Sequence, residues 1–201
     1  MEACRISDLA GVQAVRTPEN EDQLLLHAVK HGQLECVQWL WMHHRDLAKV
    51  EPIAVWQACH HGHLEMVQWL CDCGGELNRP SEYMMKLACK SGHVELVKWL
   101  YSQGVVTTIH NGRQLRRAAG YGHLNLVQWM LTVPPVGVYL DAAMYAAAEL
   151  EQMRVVEWLL DRPVSDAAIV SLIEDPNTPM LVYDLLQLHV KCRQAKSARA
   201  I

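Results

Sequence analysis

A nine-residue phrase recurs along this chain at a nearly constant interval, and that recurrence limits the fold more than any other feature. It reads Gly-His-Leu-Glu-Met-Val-Gln-Trp-Leu from Gly62 to Leu70, with near-copies ending at Leu40, Leu100, Met130 and Leu159. The tryptophans Trp39, Trp69, Trp99, Trp129 and Trp158 keep steps of 30, 30, 30 and 29 residues, and Ala28, Ala58, Ala88, Ala118 and Ala147 keep the same steps. A unit of this length cannot enclose a core by itself. Stacked side by side, such units bury one another, which predicts a solenoid. Solenoids work by presenting a surface, so binding is the first expectation and chemistry the second.

Each copy also states its own local structure. After Gly62, the apolar Leu64, Met66, Val67, Trp69, Leu70 and Cys71 surround a narrow polar stripe of Glu65, Gln68 and Asp72 at steps of three and four. That period is helical, and the wide apolar sector requires packing on two or more sides. Glu35 and Gln38, Glu95 and Lys98, Asn125 and Gln128, and Arg154 and Glu157 fill the same stripe in the other copies. Before the glycine lies a shorter helix, read here as Ile53 to His61, with Val55 and Ala58 inward and Pro52 at its first position. Ser81 and Asn111 stand where helix caps belong. Gly32, Gly62, Gly92 and Gly122 stand where the first helix stops and the chain reverses. The unit is helix, tight turn, longer helix, then a loop.

The segment Ala58-Cys-His-His-Gly-His-Leu-Glu-Met-Val-Gln-Trp-Leu70 resembles the middle of an ankyrin repeat, with its Ala, Gly-His turn and Leu-Glu-x-Val helix start. The resemblance covers residues 22–160 in five copies. It departs from the family in two ways. The Thr-Pro-Leu-His opening is replaced by Gln23 to Leu26, Ile53 to Trp56, Tyr83 to Lys86 and Arg113 to Arg116. The period is about three residues short of the usual value of about 33. The expected fold is therefore an all-α, ankyrin-like helical-repeat solenoid with shortened or absent β-turn fingers, at Gly74–Pro80 and Gly104–Gly112 among others. The chain reads as one domain over 1–201. An N-terminal cap occupies 1–21, with a short helix from Ser7 to Val15, and the five repeats run over 22–160. A degenerate repeat over 161–190 acts as C-terminal cap, its last helix running from Thr178-Pro179 to His189, and a basic tail occupies 191–201.

Composition narrows the function. A formal net charge of −4 disfavours a nucleic-acid surface, which normally carries a basic excess. No apolar run reaches the length of a membrane span. Cys59 and Cys89 alternate with Val29, Ala119 and Ala148 at one repeat position, so they read as small core residues. That usage suits a reducing compartment, the cytoplasm or alternatively the nucleus. Cys71-x-Cys73 and the scattered histidines lack zinc-finger spacing, so neither a metal nor a cofactor is expected. No nucleophile elbow or phosphate loop is present, so no enzymatic activity and no small-molecule substrate are expected. Trp69 and Trp99 are expected to be largely buried between neighbouring units rather than to form an exposed aromatic ladder. His63, His93 and His123, by the resemblance, serve the turn through hydrogen bonds.

The resemblance also points to a binding face. In the family, the two residues before the Gly-His turn and the start of the first helix line a concave groove. By position these are Lys30 and His31, His60 and His61, Lys90 and Ser91, Gly120 and Tyr121, and Glu149 and Leu150. The helix starts add Asp22, Pro52, Glu82, Gly112 and Asp141. The expected function is a non-catalytic adaptor that binds a protein partner through this face. The alternative is an architectural subunit that uses its convex side or its ends.

Overall fold

In the computed structural model, residues 9–17, 19–44, 47–73, 80–105, 112–133 and 139–199 are described. They form thirteen helices and, among the described residues, no strand. The chain divides into two compact units, Met1–Val105 and Val106–Ile201. The first holds α1 (Leu9–Val15), α2 (Glu21–Lys30), α3 (Leu34–His43), α4 (Leu47–His61), α5 (Leu64–Cys73), α6 (Glu82–Ser91) and α7 (Val94–Ser102). The second holds α8 (Arg113–Gly120), α9 (Leu124–Met130), α10 (Leu140–Glu149), α11 (Met153–Leu160), α12 (Asp166–Glu174) and α13 (Met180–Arg199).

Within the first unit, α2 pairs with α3, α4 with α5 and α6 with α7, while the first helices stack α2 on α4 on α6. Within the second, α8 pairs with α9 and α10 with α11; α8 packs on α10, α10 on α12, and the α12–α13 pair closes the stack. Small side chains make the stacking possible. Ala28, Ala58, Ala88, Ala118 and Ala147 are fully buried, as are their neighbours Val29, Cys59, Cys89, Ala119 and Ala148. Two small residues per first helix let the next helix approach closely, and any larger side chain there would overpack the seam. The second helices supply the bulk through Val37, Val67, Val97, Val127 and Val156, and through Leu40, Leu70, Leu100, Met130 and Leu159. Each such leucine stabilises by about 1.5–3 kcal/mol through burial.

The turn inside each pair is built the same way. Gly62 has φ +77°, and the His63 amide reaches back to the Ala58 carbonyl at 3.0 Å, a six-to-one bond that closes the first helix. His93 to Ala88 at 3.1 Å and His123 to Ala118 at 2.9 Å repeat it. In the fifth repeat Glu151 takes the glycine's place at φ +54°, and Gln152 makes the same bond to Ala147 at 2.8 Å. The turn geometry thus outlasts the motif that normally encodes it.

Four expectations meet a difference or fall outside view. The first helix of the second repeat begins at Leu47 rather than Ile53, so Pro52 lies inside α4. Leu47, Ala48, Lys49 and Glu51 are good helix formers, and Val50 is buried; that burial offsets the one backbone bond Pro52 cannot donate. Only three residues separate α3 from α4. The later loops and the Ser7 and Asn111 caps lie outside the described residues. Ser81 does cap α6, its hydroxyl accepting from the Met84 amide at 3.4 Å. The C-terminal helix continues past His189 to Arg199, braced by Arg193, whose guanidinium lies 2.7 Å from the Asp166 carboxylate. The repeat tryptophans are only partly buried. The leucine or methionine that follows each one occupies the centre of the pair. Trp69 meets the edge of Trp41, 8% exposed, at 5.8 Å, and Trp158 lies under the Arg162 guanidinium at 3.4 Å.

Candidate partner-binding face

With Ala54, Val55, Ala58 and Cys59 turned into the stack, the helical period leaves Ile53, Trp56 and His60 of α4 on the outside. The equivalent residues are Gln23, Leu26 and Lys30 on α2 and Tyr83, Lys86 and Lys90 on α6. Most of these are exposed, Leu26 only in part. Trp56 and Tyr83, on adjacent helices, meet edge to face at 5.0 Å although 43% and 44% exposed, and the Lys86 ammonium sits 5.6 Å from the Tyr83 ring. An aromatic pair in contact yet half in water stands out beside the fully buried Val55, Met84 and Met85 of the same two helices.

The residues expected from sequence fall into two groups on this unit. Lys30, His31, His60, His61, Lys90 and Ser91 end the first helices. Ser91 Oγ is hydrogen-bonded to His60 Nδ1 at 3.0 Å, and the His60 and His61 rings lie 5.1 Å apart. Burial first, then the nearby charges of His60, His63, Lys30 and His31, holds the His61 imidazole below its ordinary value. Four basic groups therefore surround one ring. Asp22 and Glu82 lie in the first turns of α2 and α6, on exposed side chains. Eight residues of helix place them about 12 Å from the cationic ends at 1.5 Å per residue, and the Asp22 carboxylate is 2.9 Å from His44 Nε2. Trp56, Tyr83, Ile53 and Lys86, which lie between the two groups, were not singled out in the sequence. Their signal was the helical phase left over once Ala58 and Cys59 are assigned inward.

In the second unit, Tyr121 is exposed and stacks near His123 at 6.4 Å. Asp141 is engaged structurally. Its two oxygens accept from the Ser165 amide at 2.8 Å and hydroxyl at 2.6 Å, and Ser165 in turn caps α12.

The turn histidines bind backbone in the preceding repeat. His63 Nε2 donates to the Lys30 carbonyl at 3.1 Å, and His93 Nε2 to the His60 carbonyl at 2.8 Å. Each ring lies on the glycine of that preceding repeat: a Cβ added to Gly32 would come 2.8 Å from His63 Cε1, and one added to Gly62 would overlap the His93 ring. Gly-His is thus one device shared by two repeats, the glycine receiving the next histidine.

Among the described residues, no three His, Cys, Asp or Glu side chains converge as metal ligands, and no helix is long and apolar enough to cross a membrane. Compared with known proteins, the chain matches a family model described as ankyrin repeats (3 copies) over residues 8–81 and, overlapping, 25–111, together just over half its length. No curated protein matches it significantly.

Proposed function

Because this chain belongs to the ankyrin-repeat family, whose members are generally protein–protein interaction modules and typically non-catalytic, we propose that it is an adaptor. On this reading it takes a protein partner on the outward face of its first helices. The exposed contact between Trp56 and Tyr83 carries the reading. Tryptophan and tyrosine are the side chains most enriched where interfaces concentrate their energy. A net charge of −4 supports protein over nucleic acid as partner. Buried cysteines used as core residues, Cys36, Cys59 and Cys89, support a reducing compartment, the cytoplasm or nucleus.

A second reading has its own observation. The α12–α13 pair leaves Met180, Leu181 and Leu188 60–78% exposed, which suits an architectural subunit that docks by its end. Affinity capture separates the two. A variant carrying His60→Ala, His61→Ala and Lys90→Ala with Trp56→Ala should lose its partners while keeping its helical circular dichroism. If that variant keeps them and Leu181→Ser with Leu188→Ser loses them, the architectural reading holds and the adaptor reading fails.

A further inference from the structure

Resting on the adaptor reading, we propose that the first-helix face of the first unit recognises an acidic segment carrying one bulky apolar side chain. The apolar residue seats against Trp56 and Tyr83, and the flanking carboxylates meet Lys30, Lys86, Lys90, His31 and His60. The geometry that carries this is an apolar centre with a one-sided charged rim. Ile53, Trp56 and Tyr83 are 39–44% exposed on adjacent helices, and the Trp56 and Tyr83 rings are in contact. Toward the helix ends every formally charged or titratable side chain at positions 30, 31, 60, 61 and 90 is basic, and Lys86 extends the cationic edge to the tyrosine. The carboxylates Asp22 and Glu82 stand on the opposite rim, about 12 Å along ideal helix from Lys30 and Lys90, with Glu82 next to Tyr83 and one turn before Lys86.

Cations in the last turn of a helix also complement its dipole, and Lys30, His60 and Lys90 need no partner to be explained that way. Lys86 stands mid-helix, beyond the reach of that account, and the dipole says nothing about two half-exposed aromatic rings. The local excess of positive charge also runs against the chain's net −4. Charge complementarity then selects the partner: a basic or neutral segment would set like charges together or leave the rim unanswered, whereas an acidic one is both steered and retained. A single large apolar side chain matches a single aromatic pair.

The test is selection from a displayed library of random twelve-residue peptides on the full chain. Binding of the recovered peptides is then measured by fluorescence anisotropy at two salt concentrations. Recovered sequences should be rich in Asp and Glu around one Leu, Ile, Phe or Trp. Trp56→Ala with Tyr83→Ala should weaken them about tenfold or more, in the range of interface anchors. Lys30→Glu with Lys90→Glu, at exposed positions outside the core, should weaken them several-fold and flatten the salt dependence. Peptides that are neutral or basic yet still depend on Trp56 and Tyr83 would overturn the acidic assignment and leave the adaptor reading standing. Peptides indifferent to all four substitutions would overturn both. Recovery of no binding peptide overturns the acidic assignment. So does sedimentation as a dimer that Trp56→Ala with Tyr83→Ala dissolves, since the face would then serve a second copy of the chain.

Discussion

Replacing Gly62 by alanine tests the interlock between repeats, because the structure supplies its own control. Gly62 and Gly104 both hold positive φ, +77° and +85°. A Cβ at Gly104 meets nothing within 4 Å, whereas one at Gly62 would overlap His93 at Nδ1, Cε1 and Cγ. Gly104→Ala should therefore cost only left-handed strain, about 1–2 kcal/mol, reduced by the smaller entropy of the unfolded chain, for a net of about 1 kcal/mol. Gly62→Ala carries the same cost and also expels the imidazole, whose bond to the His60 carbonyl at 2.8 Å is worth about 0.5–1.5 kcal/mol net. The expected total is about 1.5–2.5 kcal/mol. Urea denaturation followed by circular dichroism gives both values, and the double variant with His93→Ala completes a cycle. Alanine at 62 removes what His93→Ala removes, so the pair should be less than additive by about 1 kcal/mol. Equal costs at Gly62 and Gly104, or strict additivity with His93→Ala, would refute the interlock.

Three further outcomes follow from the same geometry. Glu151 holds the left-handed position at φ +54° that glycine fills elsewhere, so Glu151→Gly should raise stability by about 0.5–1 kcal/mol, read as a higher melting temperature; an unchanged or lower one contradicts the strain. Burial first, and Cys71 second, pushes the Cys59 thiol up to about 12, while burial and then Asp72 pushes Cys71 to about 11. At pH 8 iodoacetamide should modify exposed Cys73 well before either, as peptide mapping would show, and early modification of Cys59 would rule the packing out. For His61 the folded state binds its proton less readily than the unfolded chain, with its ordinary value of about 6.5. Its contribution is complete above that value and declines as pH falls below it, so His61→Gln should flatten the loss of stability between about pH 7 and 5; an unchanged slope would count against the crowding of basic groups around it.

The repeat, its helix pair and its turn were legible because they depend on local spacing: apolar phase, a glycine at the reversal and a capping serine. What was not legible is what joins positions distant in the chain. A turn role for His63 could be anticipated, but its acceptor, the carbonyl of Lys30, is 33 residues away and belongs to another repeat. The tryptophans were legible only in part, for a physical reason. Ring size suggests burial, yet the helical phase gives the centre of each pair to the next residue, Leu40 or Leu70, and leaves Trp39 and Trp69 at the margin. Trp41, outside the repeated phrase, is the better-buried ring. On the proposed binding face, the cationic rim followed from repeat position, whereas Trp56 and Tyr83 were passed over because they break the pattern instead of repeating it. Positions that vary between copies are the ones the common core does not need.

The interlock explains why those positions are free to vary. His63 and His93 bind the carbonyls of Lys30 and His60, the residues whose side chains point to the proposed partner. A backbone carbonyl is offered by any residue, so neighbouring repeats stay joined whatever side chain stands there. The inward sides of α2, α4 and α6 are carried by Ala28, Ala58 and Ala88 with Val29, Cys59 and Cys89, none of which reaches the outer face. Lys30→Glu and Lys90→Glu should accordingly each cost no more than about 0.5–1 kcal/mol, the lost match with the helix dipole, while changing what the face binds. A loss of 2 kcal/mol or more in urea denaturation would mean that recognition and stability share side chains here, and the separation argued from the carbonyl bonds would fail.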